Sequence, residues 1–375
     1  MKLKLKRDAL LNALNIALKA VSTKTTMPIL ECILIDAGED QISLTANDME
    51  LGIETKLPKE GGEILEAGRI AVDAKLLTDI VRKIAPAENS DILLKADGTI
   101  VELSCENSIF KIQEKDADQF PALPQINENI YLSISQFTLK EVIRDTIFSI
   151  SPNDSNKMMT GELFELNENH LKVVSLDGHR ISIRNTELKE NYGKVKVIIP
   201  GKTLNEIAKI ISGDADKSVD IFFSQNYVLF KFDDTLMVSR LIDGEYFRID
   251  SMLSTDYETR LDVNKKEFLD CIERSTILIR ESDKKPLVLD IQDTELGLKL
   301  NSVVGSMDAK LPIHKQGKDL LIAFNPRFLL DALRVIDDEE VSLYMTNQKS
   351  PCFIKDAEGN YIYLILPVNF NPAAY

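Results

Sequence analysis

The sequence predicts an α+β protein of three repeated domains, each with two helices packed on antiparallel sheets. Three observations lead there. Amphipathic helical segments open near Arg7, Phe137 and Lys265 in one set and near Ala74, Lys202 and Pro326 in the other, so each set recurs at 124–130 residues. The text after every helix alternates apolar and polar residues and ends in turn residues, as antiparallel strands with one wet face do. The 375 residues then divide into three parts of about 125, a size at which one core closes.

The elements follow in order. In the first helix Leu10, Leu11, Leu14, Ala17, Leu18 and Val21 fall on the i, i+3, i+4, i+7 stripe. In the second, Leu76, Leu77, Ile80, Val81 and Ile84 form the apolar stripe, with Lys75, Asp79, Arg82 and Lys83 opposite. Strands are read at Ile42-Leu44-Ala46, Leu51-Ile53-Thr55 and Val101-Leu103-Cys105. Turns are read at Asp97-Gly98, Asp177-Gly178, Asp243-Gly244 and Glu358-Gly359-Asn360. Linkers rich in Asp, Gly and Pro at 116–125 and 243–250 put the domain boundaries near 127 and 258, giving domains 1–127, 128–258 and 259–375.

Composition excludes several classes. Hydrophobic content of 44% and charged content of 28% describe an ordinary globular chain, and no apolar run reaches the ~20 residues of a membrane span. Cys32, Cys105, Cys271 and Cys352 lie far apart in apolar text, so they read as reduced core residues of a cytoplasmic protein, with no metal site. The net charge is −15, yet it is unevenly spread. The helical segments 7–20, 74–84, 137–150, 202–211, 265–280 and 326–336 hold 15 Lys or Arg against 9 Asp or Glu, a net of +6, and the remainder holds 30 against 51. That split is either an accident of solvated helices or a shared face for a polyanion.

Catalytic chemistry is not visible. There is no P-loop, GxGxxG, GxSxG or HExxH pattern, and Asp337-Asp338-Glu339-Glu340 reads as a solvated turn. His170 and His314 lie in polar turn text. The string Leu176-Asp177-Gly178-His179-Arg180 reads as a β-turn between strands at 171–176 and 181–184, and it supplies the two candidates, His179 and Arg180, for an enzyme site.

The order and spacing of further strings fit one family. They include Thr26-Met27-Pro28-Ile29-Leu30, Leu44-Thr45-Ala46-Asn47-Asp48-Met49-Glu50, Gly161-Glu162-Leu163-Phe164-Glu165, Asp177-Gly178-His179-Arg180, Val197-Ile198-Ile199-Pro200-Gly201-Lys202, Leu241-Ile242-Asp243-Gly244 and Leu364-Ile365-Leu366-Pro367. Over its whole length the chain resembles the beta sliding clamps, the processivity subunits of bacterial replicative DNA polymerase.

The resemblance implies a DNA clamp fold, a head-to-tail homodimeric ring around double-stranded DNA, no cofactor and no catalysis. It implies DNA contact at Lys24 and Asn153, to which the charge split adds Lys75, Arg82 and Lys83. The implied seam pairs Phe110 and Ile112 with Ile277 and Leu278 of a second copy. The implied groove for short linear peptides is lined by Met159, Leu176, Gly178, His179, Arg180, Ile181, Phe247, Met252, Leu364, Leu366, Pro367 and Val368. Its partners would be the polymerase catalytic subunit, the clamp loader, other polymerases and repair proteins. Phe247, Ser251 and Asn369 depart from the family's usual residues, and the tail 369–375 is longer than usual. The alternative function is an acidic, repeat-built interaction scaffold without DNA.

Overall fold

The computed structural model describes residues 1–22, 24–84, 90–126, 131–152, 155–253, 256–280 and 285–372. The first repeat runs β1 (Lys2–Lys6), α1 (Arg7–Ala17), β2 (Cys32–Ala37), β3 (Ile42–Asn47), β4 (Leu51–Lys56), β5 (Gly62–Glu66), β6 (Gly68–Asp73), α2 (Ala74–Ile84), β7 (Asp91–Asp97), β8 (Ile100–Cys105) and β9 (Ser108–Gln113). The second runs β10 (Tyr131–Ser135), α3 (Gln136–Thr146), β11 (Gly161–Asn167), β12 (His170–Leu176), β13 (Arg180–Glu187), β14 (Lys194–Pro200), α4 (Gly201–Ile210), β15 (Ser218–Phe223), β16 (Tyr227–Phe232) and β17 (Thr235–Arg240). The third runs β18 (Thr259–Asn264), α5 (Lys265–Thr276), β19 (Leu287–Ile291), β20 (Glu295–Asn301), β21 (Ser306–Pro312), β22 (His314–Gly317), β23 (Leu320–Phe324), α6 (Pro326–Val335), β24 (Glu340–Met345), β25 (Cys352–Lys355) and β26 (Tyr361–Ile365). Residue 127 lies outside the described residues, and residue 258 directly precedes β18.

All strand pairs are antiparallel, and compact packing follows the sheets. One unit, Met1–Leu139 with Asn205–Leu241, holds a sheet ordered β5-β1-β7-β8-β9 and another ordered β10-β15-β16-β17-β4-β3-β2-β6. The other unit, Lys140–Leu204 with Ile242–Tyr375, holds β14-β11-β12-β13-β26-β25-β24-β18-β22 and β21-β20-β19-β23. Each long sheet therefore joins two consecutive repeats, through β4 with β17 in the first and β13 with β26 in the second.

The helices form where the periodicity puts them, with local differences: α1 and α3 stop at Ala17 and Thr146, short of the expected 20 and 150, and 3₁₀ turns at Leu18–Ala20 and Ile147–Ser149 follow them. The stripe of α2 consists of the buried Leu77, Ile80, Val81 and Ile84; Leu76 stands off it and is exposed. The periodicity carries the fifth helix to 280, but α5 stops at Thr276. There the hydroxyls of Ser275 and Thr276 donate back to the carbonyls of Ile272 (2.6 Å) and Glu273 (2.7 Å). The next N–H groups, of Ile277 and Leu278, bond three residues back instead of four.

One device closes the helix pair in every repeat. The first residue of the first helix reaches the C-terminal end of the second, and in the first and third repeats it donates there to carbonyls that lack helical partners. Arg7 donates to Arg82 O at 2.8 Å and Val81 O at 3.3 Å. Lys265 Nζ donates to Ile336 O at 2.7 Å. Gln136 uses an amide at the same position, its Oε1 accepting from Ser212 N at 2.9 Å and Ser212 Oγ at 2.7 Å. The cysteines are buried and free, as expected; burial pushes the Cys32 thiol up to about 11.

One buried group runs against the rest. Glu162 on β11 has no exposed surface, and neither of its carboxyl oxygens has a hydrogen-bond partner among the described residues. Thr146 stands beside it, but that hydroxyl donates to Val142 O at 2.7 Å. Burial holds the carboxyl protonated well above its ordinary 4.5. The folded state therefore keeps a proton that the unfolded chain releases. The contribution of this carboxyl to stability is greatest below about pH 4.5 and is lost as pH rises toward the folded value. Glu162→Gln keeps the shape without the titration. In urea unfolding its stability relative to wild type should increase between about pH 5 and about pH 8; a pH-independent difference would mean that the carboxyl is solvated.

Candidate partner groove and surrounding surfaces

The residues expected to form a groove centre on the turn between β12 and β13. Asp177 Oδ1 accepts from the N–H groups of His179 at 2.9 Å and Arg180 at 3.2 Å, and Gly178 takes a φ of +88°. This is the Asp-Gly corner read from the sequence. Beneath it Leu176, Ile181 and Leu364 are buried with Leu163, Val174 and Ile183, covered by Tyr246 and Ile249. Met159, Phe247 and Leu253 pack half-buried against this cluster, while Met252 and Leu366 are exposed. The segment after β26 is tied alongside. Leu366 N–H donates to His179 O at 2.9 Å and Val368 N–H to Ala323 O at 2.8 Å, with Pro367 between them. The floor is thus closed core, and the accessible apolar surface lies at Met159, Phe247, Met252 and Leu366.

Arg180 is placed differently from a simple lining residue. Its guanidinium donates to Asp177 Oδ2 at 3.0 Å, to Asp331 Oδ2 on α6 at 2.6 Å and to Phe148 O, and it lies 4.5 Å from the Phe328 ring centre. It binds the turn to α6 and to the end of the α3 segment. His179 stacks on the other partner of that ring contact, with its centroid 6.1 Å from that of Phe328.

Beside the turn lies a cavity of about 470 Å³ that includes His179 and Val368. Its other walls are Thr276, Ile279, Lys285, Pro286, Asn325, Pro326, Arg327, Phe328 and Asn369. Sequence reasoning missed these. A signal existed in Phe328, an aromatic one position off the stripe of Leu329, Leu330 and Leu333. A depression of about 510 Å³ over β11, β12 and β14 meets none of the expected residues, and ion pairs such as Lys196 with Glu165 at 3.5 Å cross it.

The expected seam residues lie at sheet and helix ends. β9 is an edge strand, on which Phe110 is 39% and Ile109 63% exposed, whereas Ile112 is buried. Ile277 is 80% exposed just past α5, with Leu278 half-buried against the third-repeat core. Val303, on the turn before β21, is 82% exposed and was not foreseen.

Among the expected DNA positions, Lys24, Lys75 and Lys83 are exposed and have no ion pair among the described residues. Arg82 is exposed and pairs with Asp79 at 3.2 Å. Asn153 lies outside the described residues. Part of the helical positive charge is structural: Arg7 and Lys265 cap helices, and Arg144 binds Asp145 and Asp337.

Known proteins share this architecture. Family models of the DNA polymerase III beta subunit match the N-terminal domain at residues 1–124, the central domain at 133–247 and the C-terminal domain at 250–369. A beta sliding clamp of Staphylococcus aureus is 33% identical over 98% of this chain and 99% of its own length. The crystal structure of a DNA polymerase sliding clamp from Bacillus subtilis, 32% identical, superposes with a TM-score of 0.95 over 99% of this chain and 100% of that one. A structure described as a DNA polymerase III beta subunit of Eubacterium rectale is 56% identical, with a TM-score of 0.94 over 99% and 100%. The chain belongs to the beta sliding clamp family, the beta subunits of DNA polymerase III.

Proposed function

We propose that two copies of this chain join head to tail into a ring that encircles double-stranded DNA and tethers the replicative polymerase to it. As a beta subunit the protein is a non-catalytic processivity component, and family membership favours this over an acidic scaffold without DNA. In this reading the three domains span 1–127, 128–258 and 259–375, and the protein works in the cytoplasm.

One observation carries the dimer. Within the chain the strand after the fourth-strand turn of one repeat pairs with the last strand of the next, β4 with β17 and β13 with β26. The same positions in the remaining repeats are β21 and β9, both edge strands among the described residues. The register carries over. Turns closed by Asp48 N–Leu51 O, Asp177 N–Arg180 O and Ser302 N–Gly305 O precede β4, β13 and β21. Ile53 faces Met237 and Ser182 faces Tyr363, so Phe110 of one copy should face Met307 of the other. Met237 is 0% and Tyr363 2% exposed, against 39% for Phe110, which is the difference a partner would remove. Tyr363 also packs on Phe148, with ring centroids 5.7 Å apart, and Phe148 follows the start of α3 by as many residues as Ile277 follows the start of α5. Ile277 is thus the residue that Phe110 should meet.

Helices of 10–12 residues are roughly 15–18 Å long, enough to cross backbone phosphates without filling a groove. Contact through Lys24, Asn153, Lys75, Arg82 and Lys83 would then be independent of base sequence. The apolar rim at Met159, Phe247, Met252 and Leu366, over the floor of Leu176, Ile181 and Leu364, supports a site for short hydrophobic peptides. These would come from the polymerase catalytic subunit, the clamp loader, other polymerases and repair proteins. Met side chains adapt to varied ligands.

Three outcomes test these readings. Phe110→Asp or Ile277→Asp puts a charge in the seam, which is costly without a partner; sedimentation should give a folded species near 42.2 kDa, and an intact dimer would refute the seam. Reversing charge at Lys24, Lys75 and Lys83 should leave the dimer intact and flatten the salt dependence of binding to primed duplex by about one unit or less per residue; an unchanged slope rejects this face. Met159→Ala with Leu366→Ala should weaken a peptide carrying a Gln and a hydrophobic pair by roughly ten-fold or more in calorimetry. Unaltered affinity would move the groove elsewhere.

A further inference from the structure

The depression of about 510 Å³ on the second repeat has a charge pattern that its counterparts lack. Directly opposed residues of neighbouring strands share one sheet face, and two such rows line it. Lys196, Glu165 and Lys172 form one across β14, β11 and β12, and Lys194, Asn167 and His170 form the other. The next row on this face is Ile198, Leu163 and Val174, in the apolar cluster that Tyr246 and Ile249 cover. Asp250 follows that cover and lies 3.3 Å from Lys172, so the depression begins where the cluster ends. Its far end is held in place. At the tip of the β11–β12 hairpin Glu168 N–H donates to Gly193 O at 2.8 Å, Tyr192 N–H to Glu168 O at 3.1 Å and Leu188 N–H to Asn169 O at 2.7 Å. The rows that correspond to Lys196-Glu165-Lys172 are Arg69-Asp36-Ser43 in the first repeat and Leu321-Asp290-Gly297 in the third. The central acid recurs, bound by Arg69 at 3.1 Å in one and by Lys299 at 2.9 Å in the other. The second repeat instead flanks its acid with two lysines in the row and places Lys194 beside them.

We propose that this face docks an extended acidic segment of a partner protein, with carboxylates at alternate positions. Neighbouring strands lie ~4.8 Å apart and alternate residues of one strand ~6.8 Å apart, so Lys172, Lys194, Lys196 and His170 mark the corners of a rectangle of about 10 by 7 Å. An extended chain laid along these strands repeats its own side chains at the same ~6.8 Å. Two carboxylates two residues apart then meet Lys194 and Lys196, or His170 and Lys172. Lys194, Lys196 and Asp250 are exposed, so the present ion pairs are weak and exchange readily against a ligand. A nucleic-acid strand fits less well, because no Phe, Tyr or Trp stands among the described lining residues to stack a base. In a chain of net charge −15, a local excess of cations steers an acidic segment to this face. The surface stands apart from the groove and the seam and depends on neither reading.

The test uses the full-length protein and labelled probes in fluorescence anisotropy at low salt. One peptide alternates Glu and Thr, one has the same composition with its Glu in a single block, one alternates Lys and Thr, and the fourth probe is a short oligo-dT. The wild type should bind the alternating Glu peptide roughly three- to ten-fold more tightly than the block peptide and should ignore the Lys peptide. Added salt should narrow the gap. Lys172→Ala with Lys194→Ala and Lys196→Ala should abolish the preference, and Lys194→Glu alone should weaken the alternating peptide with no loss of fold by circular dichroism. Arg69→Ala, at the matching place in the first repeat, should leave it unchanged, and so should Met159→Ala with Leu366→Ala in the proposed groove. The proposal is overturned if the wild type binds neither Glu peptide or binds both equally. It is overturned if the triple variant keeps the preference, which would leave the lysines as a solvated surface. Equal loss in Arg69→Ala would reduce the effect to overall charge, and loss in the groove variant would place the peptide there instead. Tighter binding of oligo-dT than of the Glu peptide, lost in the triple variant, would assign the face to phosphates.

Discussion

A sheet edge presents a row of backbone N–H and C=O groups that hydrogen-bond to whatever strand lies beside them. In this chain that requirement is met twice in the same manner, by β17 beside β4 and by β26 beside β13. Three repeats offer three such positions, but a linear chain can satisfy two of them internally. The leftover strands, β9 and β21, belong to the first and last repeats. In the proposed ring, closure by a second copy would be the same bond made between molecules, with the exposed Phe110, Ile277 and Val303 as its apolar companions. The proposed oligomeric state would grow out of the repeat without a separate interface design.

The electrostatics divide into two tasks that composition alone merges. Arg7, Lys265 and Arg144 are basic residues of the helices, yet each binds a carbonyl or carboxylate of the protein. What remains for a polyanion is a smaller set, Lys24, Lys75 and Lys83 among it. A thin basic surface in a chain of net charge −15 would suit the proposed ring, in which retention would come from closure and tight phosphate contact would hinder sliding. Arg180 shows the same division at the groove. It joins the turn of Asp177 to Asp331 of α6 and to Phe328, so the turn beside the proposed groove is fixed by helix contacts.

Much of this was legible in the sequence, and the misses have physical causes. Helix positions followed from apolar spacing because a stripe must be buried whatever lies above it. The end of α5 was not legible, because the hydroxyls of Ser275 and Thr276 compete with the helix only once their rotamers are known. Leu76 was read as core since it sits next to the stripe in sequence, whereas the helix turns it outward. The groove turn was read correctly from Asp177-Gly178, whose chemistry is local. The cavity was missed because Thr276, Lys285, Arg327 and Asn369 come from four separate segments that only tertiary packing assembles. The seam lay between these cases. Phe110 could be carried over from a resemblance, but its match to Met237 and Tyr363 required strand registers.

Closure around DNA is the central claim, and one measurement addresses it directly. The protein is loaded onto nicked circular DNA with a clamp loader, the complex is washed at about 0.5 M salt, where the Debye length is only a few ångströms and phosphate contacts are screened, and the circle is then cut once. The account predicts that the protein stays with the intact circle through the wash and leaves after the cut. Loss from the intact circle in the wash, or retention on the linear product, would contradict it.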